Sequence, residues 1–394
     1  MAVLTELKVP ERLLLGPGPA NVDPRVLRAM ATPVIGHLDP AFIAVMDETI
    51  QYLRQVWRTR NRLTVPLSAT GSGGMEAVMV NLLEPGDEVV VGICGLFGQR
   101  LADVAARAGA RVRTVEAPWG KPLDPEQFEE ALRERPAKVV AFVHGETSTG
   151  VLQPVEPIVE IARRYGALVV ADCVTSLGSV PVEVDRWGLD AAYSCSQKGL
   201  GAPPGMAPVT FSEQALEVIR SRKTRVQSWY LDMNLLMGYW SGETVTERVY
   251  HHTAPITMIY ALREALRIVL EEGLENRWER VRRVHEAFVA GIEAMGLEML
   301  VEKPYRLAPL NTVKVPQGVD AAAVQRRLLE MDIEIAGGFG PLKGKIWRIG
   351  LMGYNAQPRN VFVVLSALEL ALREQGFPVT PGAGPEAAAA ALKG

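Results

Sequence analysis

The stretch Ala167-Leu168-Val169-Val170-Ala171-Asp172 is a run of small and apolar residues that ends in a carboxylate. Such a run is typical of a buried parallel strand whose last residue emerges at the carboxyl edge of a sheet. A second short strand, predicted over about 190–194, leads into Cys195-Ser196-Gln197-Lys198-Gly199. A carboxylate and an amine therefore both follow strands, at the edge where open α/β sheets bind their ligands.

Asp172 and Lys198 together favour one cofactor chemistry. Pyridoxal phosphate (PLP) requires a lysine amine for a Schiff base and a carboxylate that keeps its ring nitrogen protonated. Each residue alone has an ordinary explanation, because most lysines are exposed and a carboxylate after a strand is often a helix N-cap. The pair becomes informative only when a phosphate-binding segment accompanies it.

The sequence Thr70-Gly71-Ser72-Gly73-Gly74-Met75-Glu76 is a candidate for that segment. Glycines and small hydroxyls at a helix start offer backbone N–H groups and a positive dipole end to a phosphate. The loop is not a dinucleotide fingerprint, because Glu76 replaces the third glycine, and no Gly-Lys-Ser/Thr of a Walker loop follows. A tight turn before a helix is an equally good explanation of this loop taken by itself.

Composition sets limits on the class of protein. The chain has 394 residues and a formal net charge of -3, which predicts about two or three domains and no nucleic-acid partner. It shows neither a signal-peptide pattern nor an apolar stretch of about 18 residues, so no membrane partner is expected. The thiols of Cys94, Cys173 and Cys195 suit a reducing compartment. We expect a cytoplasmic protein.

Strands and helices are predicted to alternate through the first two thirds of the chain. Strands are expected at 88–93, 111–115, 138–143, 167–171, 190–194 and 207–211, with helices at 98–108, 125–134 and 156–165. This rhythm predicts an α/β fold with a largely parallel sheet covered on both faces. The expected domains are an arm (1–13), a large cofactor-binding domain (14–270), a small α+β domain (271–379) and a flexible tail (380–394).

The sequence resembles the class V, fold type I PLP aminotransferases, specifically the alanine–glyoxylate and serine–pyruvate branch. The resemblance covers about residues 12–375. It is carried by Leu15-Gly16-Pro17-Gly18-Pro19, Leu83-Glu84-Pro85-Gly86-Asp87, His144-Gly145-Glu146-Thr147-Ser148-Thr149-Gly150, Asp172-Cys173-Val174-Thr175-Ser176-Leu177-Gly178, Ser196-Gln197-Lys198 and Tyr250-His251-His252-Thr253. It implies a mostly parallel seven-stranded sheet flanked by helices in the large domain.

The resemblance also implies PLP as cofactor and a role for each site residue. Lys198 would hold the cofactor covalently and move the substrate proton, and Asp172 would pair with the ring nitrogen. The remaining expected roles are ring contacts for Val174 and Phe97, a hydrogen bond from Thr147 to the phenolic oxygen, phosphate binding by Gly71, Ser72 and Gln197 with Tyr250 and Thr253 of the neighbouring subunit, and substrate binding by Arg348 and Gly18. A bidentate guanidinium matches a substrate carboxylate.

Some positions keep a second interpretation. Phe97 stands where some relatives carry Trp, and Ser72 where some carry His or Thr, which leaves substrate preference open. His37 falls in a segment that borders the substrate pocket in relatives, although a helix-entry histidine explains it equally well. Tyr250-His251-His252 is not expected to bind a metal, because adjacent histidines point apart and no third ligand is spaced nearby.

We expect a ping-pong aminotransferase in which L-alanine or L-serine donates nitrogen and glyoxylate, or pyruvate, accepts it, with a role in glycine biosynthesis. The shared phosphate site predicts a homodimer. Three alternatives to this function are a ureidoglycine–glyoxylate aminotransferase, a PLP lyase such as a cysteine desulfurase, and a scaffold without turnover. The lyase needs a nucleophilic cysteine on a mobile loop, whereas all three cysteines precede residue 196. Retention of Lys198, Asp172 and Arg348 argues against the scaffold.

Overall fold

The computed structural model of this chain describes residues 5–240 and 248–393. In chain order the strands are β1 (Leu13–Leu14), β2 (Leu63–Leu67), β3 (Glu88–Ile93), β4 (Arg111–Glu116), β5 (Val139–Val143), β6 (Gly145–Glu146), β7 (Val151–Leu152), β8 (Leu168–Asp172), β9 (Ala191–Tyr193), β10 (Ala207–Phe211), β11 (Leu310–Lys314), β12 (Ile333–Glu334), β13 (Ala336–Gly337) and β14 (Ile346–Gly350).

The α-helices begin and end as follows: α1 (Pro24–Met30), α2 (Pro40–Trp57), α3 (Gly71–Leu82), α4 (Leu96–Arg107), α5 (Pro125–Glu134), α6 (Glu156–Arg164), α7 (Val184–Trp187), α8 (Glu213–Arg220), α9 (Met233–Trp240), α10 (Ile256–Glu272), α11 (Leu274–Ala294), α12 (Ala321–Glu330), α13 (Pro358–Glu374) and α14 (Ala383–Lys393). Short 3₁₀ turns lie at Lys303–Tyr305, Gly340–Leu342 and Gly353–Asn355. None of the helices in this described part combines the length and hydropathy of a membrane crossing.

A seven-stranded sheet in the order β2-β10-β9-β8-β5-β3-β4 forms the centre of the large domain. The strands from β9 to β4 are parallel to their neighbours, and β10 is antiparallel to both β9 and β2. The strands β5 and β8 are buried along their whole length because helices cover both faces of the sheet. The predicted α/β fold with a mostly parallel seven-stranded sheet is confirmed.

Strand β2 is the member of this sheet for which the sequence offered no separate prediction. It contains Pro66, which lacks an N–H group and would interrupt a central strand. Because β2 lies at the edge of the sheet and pairs only with β10, no strand on its other side needs a hydrogen bond from residue 66. Strand β2 leads directly to the glycine loop and α3, so its position at the edge sets where that loop lies.

A second group of buried side chains forms the core of the C-terminal part of the chain. It joins α11, α12, α13 and the antiparallel sheet β11-β14-β13. The amino-terminal segment belongs to this core as well, because β1 pairs in parallel with β12 and Leu15 is a buried member of the same cluster. Glycine at 273 separates α10 from α11 with a φ of +83°, a conformation that favours glycine.

The segment expected to be a flexible tail is ordered over most of its length, which corrects that expectation. Residues 383–393 form α14, which packs against α11 and α13. Ala388 is fully buried, and Arg283 donates a hydrogen bond of 2.8 Å to the carbonyl of Leu392. Alanine is the strongest helix former, and its small side chain permits close helix contact, so the alanine-rich composition produces a docked helix here.

Candidate active site

A small cavity lies where β8 and β9 end and α3 and α4 begin. Its volume is about 150 Å³. The described residues that line it are Gly18, Thr70, Gly71, Ser72, Met75, Phe97, Arg100, Asp172, Val174, Gln197 and Lys198. Most of the residues predicted from the sequence to contact the cofactor therefore meet in one place, at the carboxyl edge of the sheet.

Asp172 ends β8 and is buried at the bottom of this cavity. Its Oδ1 accepts a hydrogen bond of 2.8 Å from the backbone N–H of Val174, and its Oδ2 accepts one of 2.8 Å from the hydroxyl of Tyr193. Burial raises the pKa of Asp172 to about 7, although both hydrogen bonds oppose this effect. The carboxylate keeps free lone pairs, so it can accept a further hydrogen bond from a ring N–H.

Tyr193 is a site residue that the sequence analysis missed. It lies in β9 directly opposite Asp172 in the register of the parallel pair β8–β9. Burial and the neighbouring carboxylate raise the pKa of the Tyr193 phenol, so the hydroxyl keeps its proton and acts as a donor. Its signal in the sequence was weak, because an aromatic residue in a buried strand usually packs in a core.

Lys198 follows β9 and is almost fully buried. Its Nζ donates a hydrogen bond to the carbonyl of Pro17, in the segment that carries Gly18. Burial lowers the pKa of the Lys198 amine below its usual range. A Cβ at Gly18 would lie 2.5 Å from Lys198 Cδ, and Gly18 has a φ of +110°, so only glycine fits beside this lysine.

The glycine loop forms the first turn of α3 and closes one side of the cavity. A Cβ at Gly71 would lie 3.1 Å from the side chains of both Cys195 and Val174, so glycine allows the helix end to approach the sheet. The Oε1 atom of Gln197 is buried without a hydrogen-bond partner. An amide without a partner beside a free helix N-terminus is a suitable arrangement for an anion.

Phe97 reaches the cavity from the first turn of α4, and Glu146 holds that turn in place. The backbone N–H groups of Phe97 and Gly98 each donate to Glu146 Oε2 at 3.2 Å, and the Ser148 hydroxyl donates to Oε1 at 2.6 Å. Burial raises the pKa of Glu146. Glu146 lies in the motif His144–Gly150, but no local pattern predicts its role, because the helix that it caps lies 48 residues earlier in the chain.

Thr147 and Arg348 form a second layer next to the cavity, and neither is among the described residues that line it. The Thr147 and Thr175 hydroxyls share a hydrogen bond. Arg348, in β14, donates from Nε to the Gly337 carbonyl at 2.7 Å and from Nη1 to the Thr147 carbonyl at 3.4 Å.

Arg348 is 3% exposed and carries a charge with no direct acidic partner in residues 5–240 and 248–393. Its guanidinium carbon lies 4.1 Å from the centroid of the Phe339 ring, which is a cation–π contact. Burial lowers the pKa of Arg348 to about 10, and the charge of Glu146 opposes this shift. A buried guanidinium of this kind is suited to bind a carboxylate ligand.

Tyr250 and Thr253 do not line the cavity. Tyr250 is 58% exposed, and its ring centroid lies 5.4 Å from that of His37. Thr253 is exposed as well. The structure therefore does not bring these two residues, or His37, to Lys198 within one chain.

A larger groove of about 870 Å³ lies elsewhere on the surface, beside α11. Its polar lining includes Arg282, which pairs with Glu279 and Glu286 in solvent-exposed ion pairs. Such groups are hydrated and satisfied. Volume alone therefore does not identify the site, whereas the buried ionisable residues of the small cavity do.

The residues of the small cavity fit PLP. A buried carboxylate faces it from one strand, a buried amine of lowered pKa follows the next strand, and a helix N-terminus with an amide lacking a partner closes the far side. These groups match a ring nitrogen, an aldehyde and a phosphate respectively. The fold and this cavity define a PLP-dependent enzyme of fold type I.

The chain belongs to the class V aminotransferases, because the model of that family, "Aminotransferase class-V", matches residues 13–357. It is thus a PLP-dependent aminotransferase. A solved alanine–glyoxylate aminotransferase from Nostoc sp. is 52% identical, with a TM-score of 0.92 over 94% of this chain and 98% of that one. A solved ureidoglycine–glyoxylate aminotransferase from Bacillus subtilis is 43% identical, with a TM-score of 0.96 over 99% and 100%. The alanine–glyoxylate aminotransferase of Felis catus is 42% identical over 94% of this chain and 90% of its own length.

Proposed function

We propose that this enzyme transfers nitrogen from a small amino donor, L-alanine or L-serine, to glyoxylate or pyruvate in a ping-pong cycle. The observation that carries the proposal is the meeting of Asp172 and Lys198 in a cavity of about 150 Å³. The names of the Nostoc and Felis catus relatives support alanine and glyoxylate in particular.

Each half-reaction is assigned to residues of this chain. Bound PLP supplies an aldehyde that captures the donor nitrogen and a ring that takes up electrons from the substrate Cα. The Lys198 amine, whose pKa burial lowers, would take the proton from the donor's Cα as the free base and deliver it to the cofactor carbon that carried the aldehyde. With the oxo-acid acceptor, the same amine would move a proton from that carbon to the acceptor's Cα. Asp172 keeps the ring nitrogen protonated, and the Tyr193 hydroxyl holds the Asp172 carboxylate in position.

The remaining contacts orient the substrate and the ring. Arg348 binds the substrate carboxylate, an assignment that its buried charge without a direct acidic partner supports. Phe97 and Val174 cover the two ring faces, and Thr147 donates to the phenolic oxygen. Gly71, Ser72 and Gln197 bind the phosphate, and Gly18 lies beside the substrate, where no larger residue would leave room for Lys198.

We further propose a homodimer in which Tyr250 and Thr253 complete the phosphate site of the neighbouring subunit. Both residues are exposed in the single chain, as side chains that reach a second active site must be. Tyr230 and Trp229 add exposed aromatic surface near them, since Trp229 stacks on His251 at 4.4 Å. Sedimentation of the purified protein tests the dimer. A cytoplasmic location and a role in glycine biosynthesis stay predictions.

Ureidoglycine is the second candidate donor. The TM-score of 0.96 to the Bacillus subtilis ureidoglycine–glyoxylate aminotransferase, over almost the whole of both chains, favours it. The desulfurase alternative has no comparable support. All three thiols are buried, and burial raises the pKa of each, that of Cys195 to about 11, so none is a ready nucleophile.

A donor panel separates these functions. The purified holoenzyme is given alanine, serine or ureidoglycine with glyoxylate as acceptor, and glycine formation is measured for each. We expect the highest kcat/KM for alanine or serine, and ureidoglycine as the best donor would establish the second candidate. The Lys198→Ala variant is the control and must form no glycine. If no donor supports Lys198-dependent glycine formation, the proposed function is wrong.

A further inference from the structure

Arg100 lies in the lining of the cofactor cavity, and no local sequence pattern predicts a role for it. It is exposed on α4, one helical turn after Phe97, and belongs to the cavity lining. Its Nη1 donates to the Ser72 hydroxyl at 3.1 Å. Its guanidinium carbon lies 4.9 Å from the centroid of the Phe97 ring. The side chain therefore bridges the glycine loop and the ring-stacking residue.

The charge of Arg100 has no counterpart in the described part of the chain. Its contacts are with a hydroxyl and an aromatic ring, and no carboxylate of residues 5–240 and 248–393 pairs with it. By contrast, Arg107 near the end of the same helix donates to Asp103 at 2.9 Å. A guanidinium held against the phosphate loop without an anion has its donors available for a ligand.

A cation at this position would favour the phosphate of PLP. It carries close to two negative charges at neutral pH, whereas a helix N-terminus contributes only about half an elementary charge. Among the described residues that line the cavity, the basic ones are Lys198 and Arg100. Lys198 is directed to Pro17, on the side of the cavity that holds Gly18, and its amine is the group assigned to the chemistry.

We infer that Arg100 is a phosphate-binding residue, which donates to the cofactor phosphate from the position where it now contacts Ser72. The inference rests on the phosphate role proposed for the glycine loop. Helix α4 then holds the cofactor at two points, with Phe97 against the ring and Arg100 against the phosphate. Glu146 fixes both, because it binds the N–H groups at the start of that helix.

The test compares PLP with pyridoxal, which has the same ring and aldehyde but no phosphate. The Arg100→Met variant keeps the apolar stem over Phe97 and removes the charge. Arg107→Met removes another exposed arginine of α4 and serves as the control. Full-length proteins are freed of cofactor with excess amino donor and dialysis. They are then titrated with each compound by tryptophan fluorescence, and circular dichroism checks folding.

We expect Arg100→Met to weaken PLP binding about tenfold, the effect of one charge-assisted hydrogen bond near the surface, and to leave pyridoxal binding unchanged. Arg107→Met should bind both compounds as the wild type does, and Arg100→Lys should lose less than Arg100→Met. Unchanged PLP affinity in Arg100→Met, or an equal loss for both compounds, overturns the inference. A wild type that binds PLP no better than pyridoxal refutes the phosphate role of the glycine loop itself.

Discussion

Replacing Tyr193 by Phe tests how the site controls the charge of Asp172. The variant removes only the hydroxyl that donates to Asp172 Oδ2 at 2.8 Å and keeps the ring in the core of the sheet. The O–H···O bond favours the ionised carboxylate, so it holds the pKa of Asp172 below the value that burial alone would give. Without it, the pKa of Asp172 must rise above about 7.

The size of this effect follows from the type of bond. A hydrogen bond to a charged group contributes about 1.5–3 kcal/mol, and a pKa unit corresponds to about 1.4 kcal/mol. The expected rise in the pKa of Asp172 is therefore about 1 to 2 units. The bond from the Val174 N–H remains and keeps the shift towards the lower end of that range. At neutral pH the carboxyl group would become mostly neutral and could no longer hold a proton on the ring nitrogen.

The assay is the pH dependence of PLP affinity, measured with cofactor-free protein. PLP affinity should fall as the pH falls through the pKa of Asp172. In Tyr193→Phe this fall should occur about 1 pH unit higher than in the wild type. The control is Tyr165→Phe, because the Tyr165 hydroxyl donates to Glu129 at 3.4 Å, and neither residue lines the cofactor cavity. If PLP affinity falls at the same pH in Tyr193→Phe and in the wild type, the Tyr193 hydroxyl does not control the charge of Asp172.

Three further predictions concern Gly18, Arg348 and Asp172. Gly18→Ala places a Cβ 2.5 Å from Lys198 Cδ at a φ of +110°. Borohydride should therefore fix far less PLP onto Lys198 in this variant. Fixation at the wild-type level would contradict the requirement for glycine at this position. Arg348→Gln should raise the KM for amino and oxo acids about a hundredfold, as expected for a lost bidentate ion pair. An unchanged KM would mean that another residue binds the substrate carboxylate. Burial raises the pKa of Asp172 from 3.8 to about 7 in the folded protein, so the free energy of unfolding falls as the pH rises from 3.8 to about 7 and levels off above that. Asp172→Asn should therefore raise the melting temperature of cofactor-free protein more at pH 8 than at pH 5, and an equal change at both pH values would contradict the raised pKa.

Sequence analysis found the residues whose position follows from a single strand or loop. Asp172 and Lys198 stand out because a polar residue interrupts or follows a buried run, and the glycine loop stands out because its composition suits a helix start. The carboxyl ends of neighbouring parallel strands meet at one edge, so local patterns were enough to bring these groups together. The same reasoning predicted the order of strands and helices in the large domain.

Residues that act through long-range contacts were not predictable in this way. Glu146 caps α4 from a different strand, and Tyr193 meets Asp172 only through the register of β8 and β9. Arg100 has the sequence context of an ordinary surface arginine on a helix. The pairing of β1 with β12 joins residues more than 300 positions apart, and nothing in either two-residue strand indicates the other. Tertiary structure decides all of these contacts.

Glu146 acts on the charge of Arg348 without forming an ion pair with it. Burial disfavours the guanidinium charge, and Glu146 is the group that opposes this shift in the pKa of Arg348. The two side chains form no direct hydrogen bond, because N–H and O–H groups of Phe97, Gly98 and Ser148 already occupy the Glu146 oxygens. A direct ion pair would compete with a substrate carboxylate for the same donors. A carboxylate whose oxygens are bound by α4 and Ser148 favours the Arg348 cation, and under the proposed function it would leave the guanidinium donors free for a substrate carboxylate.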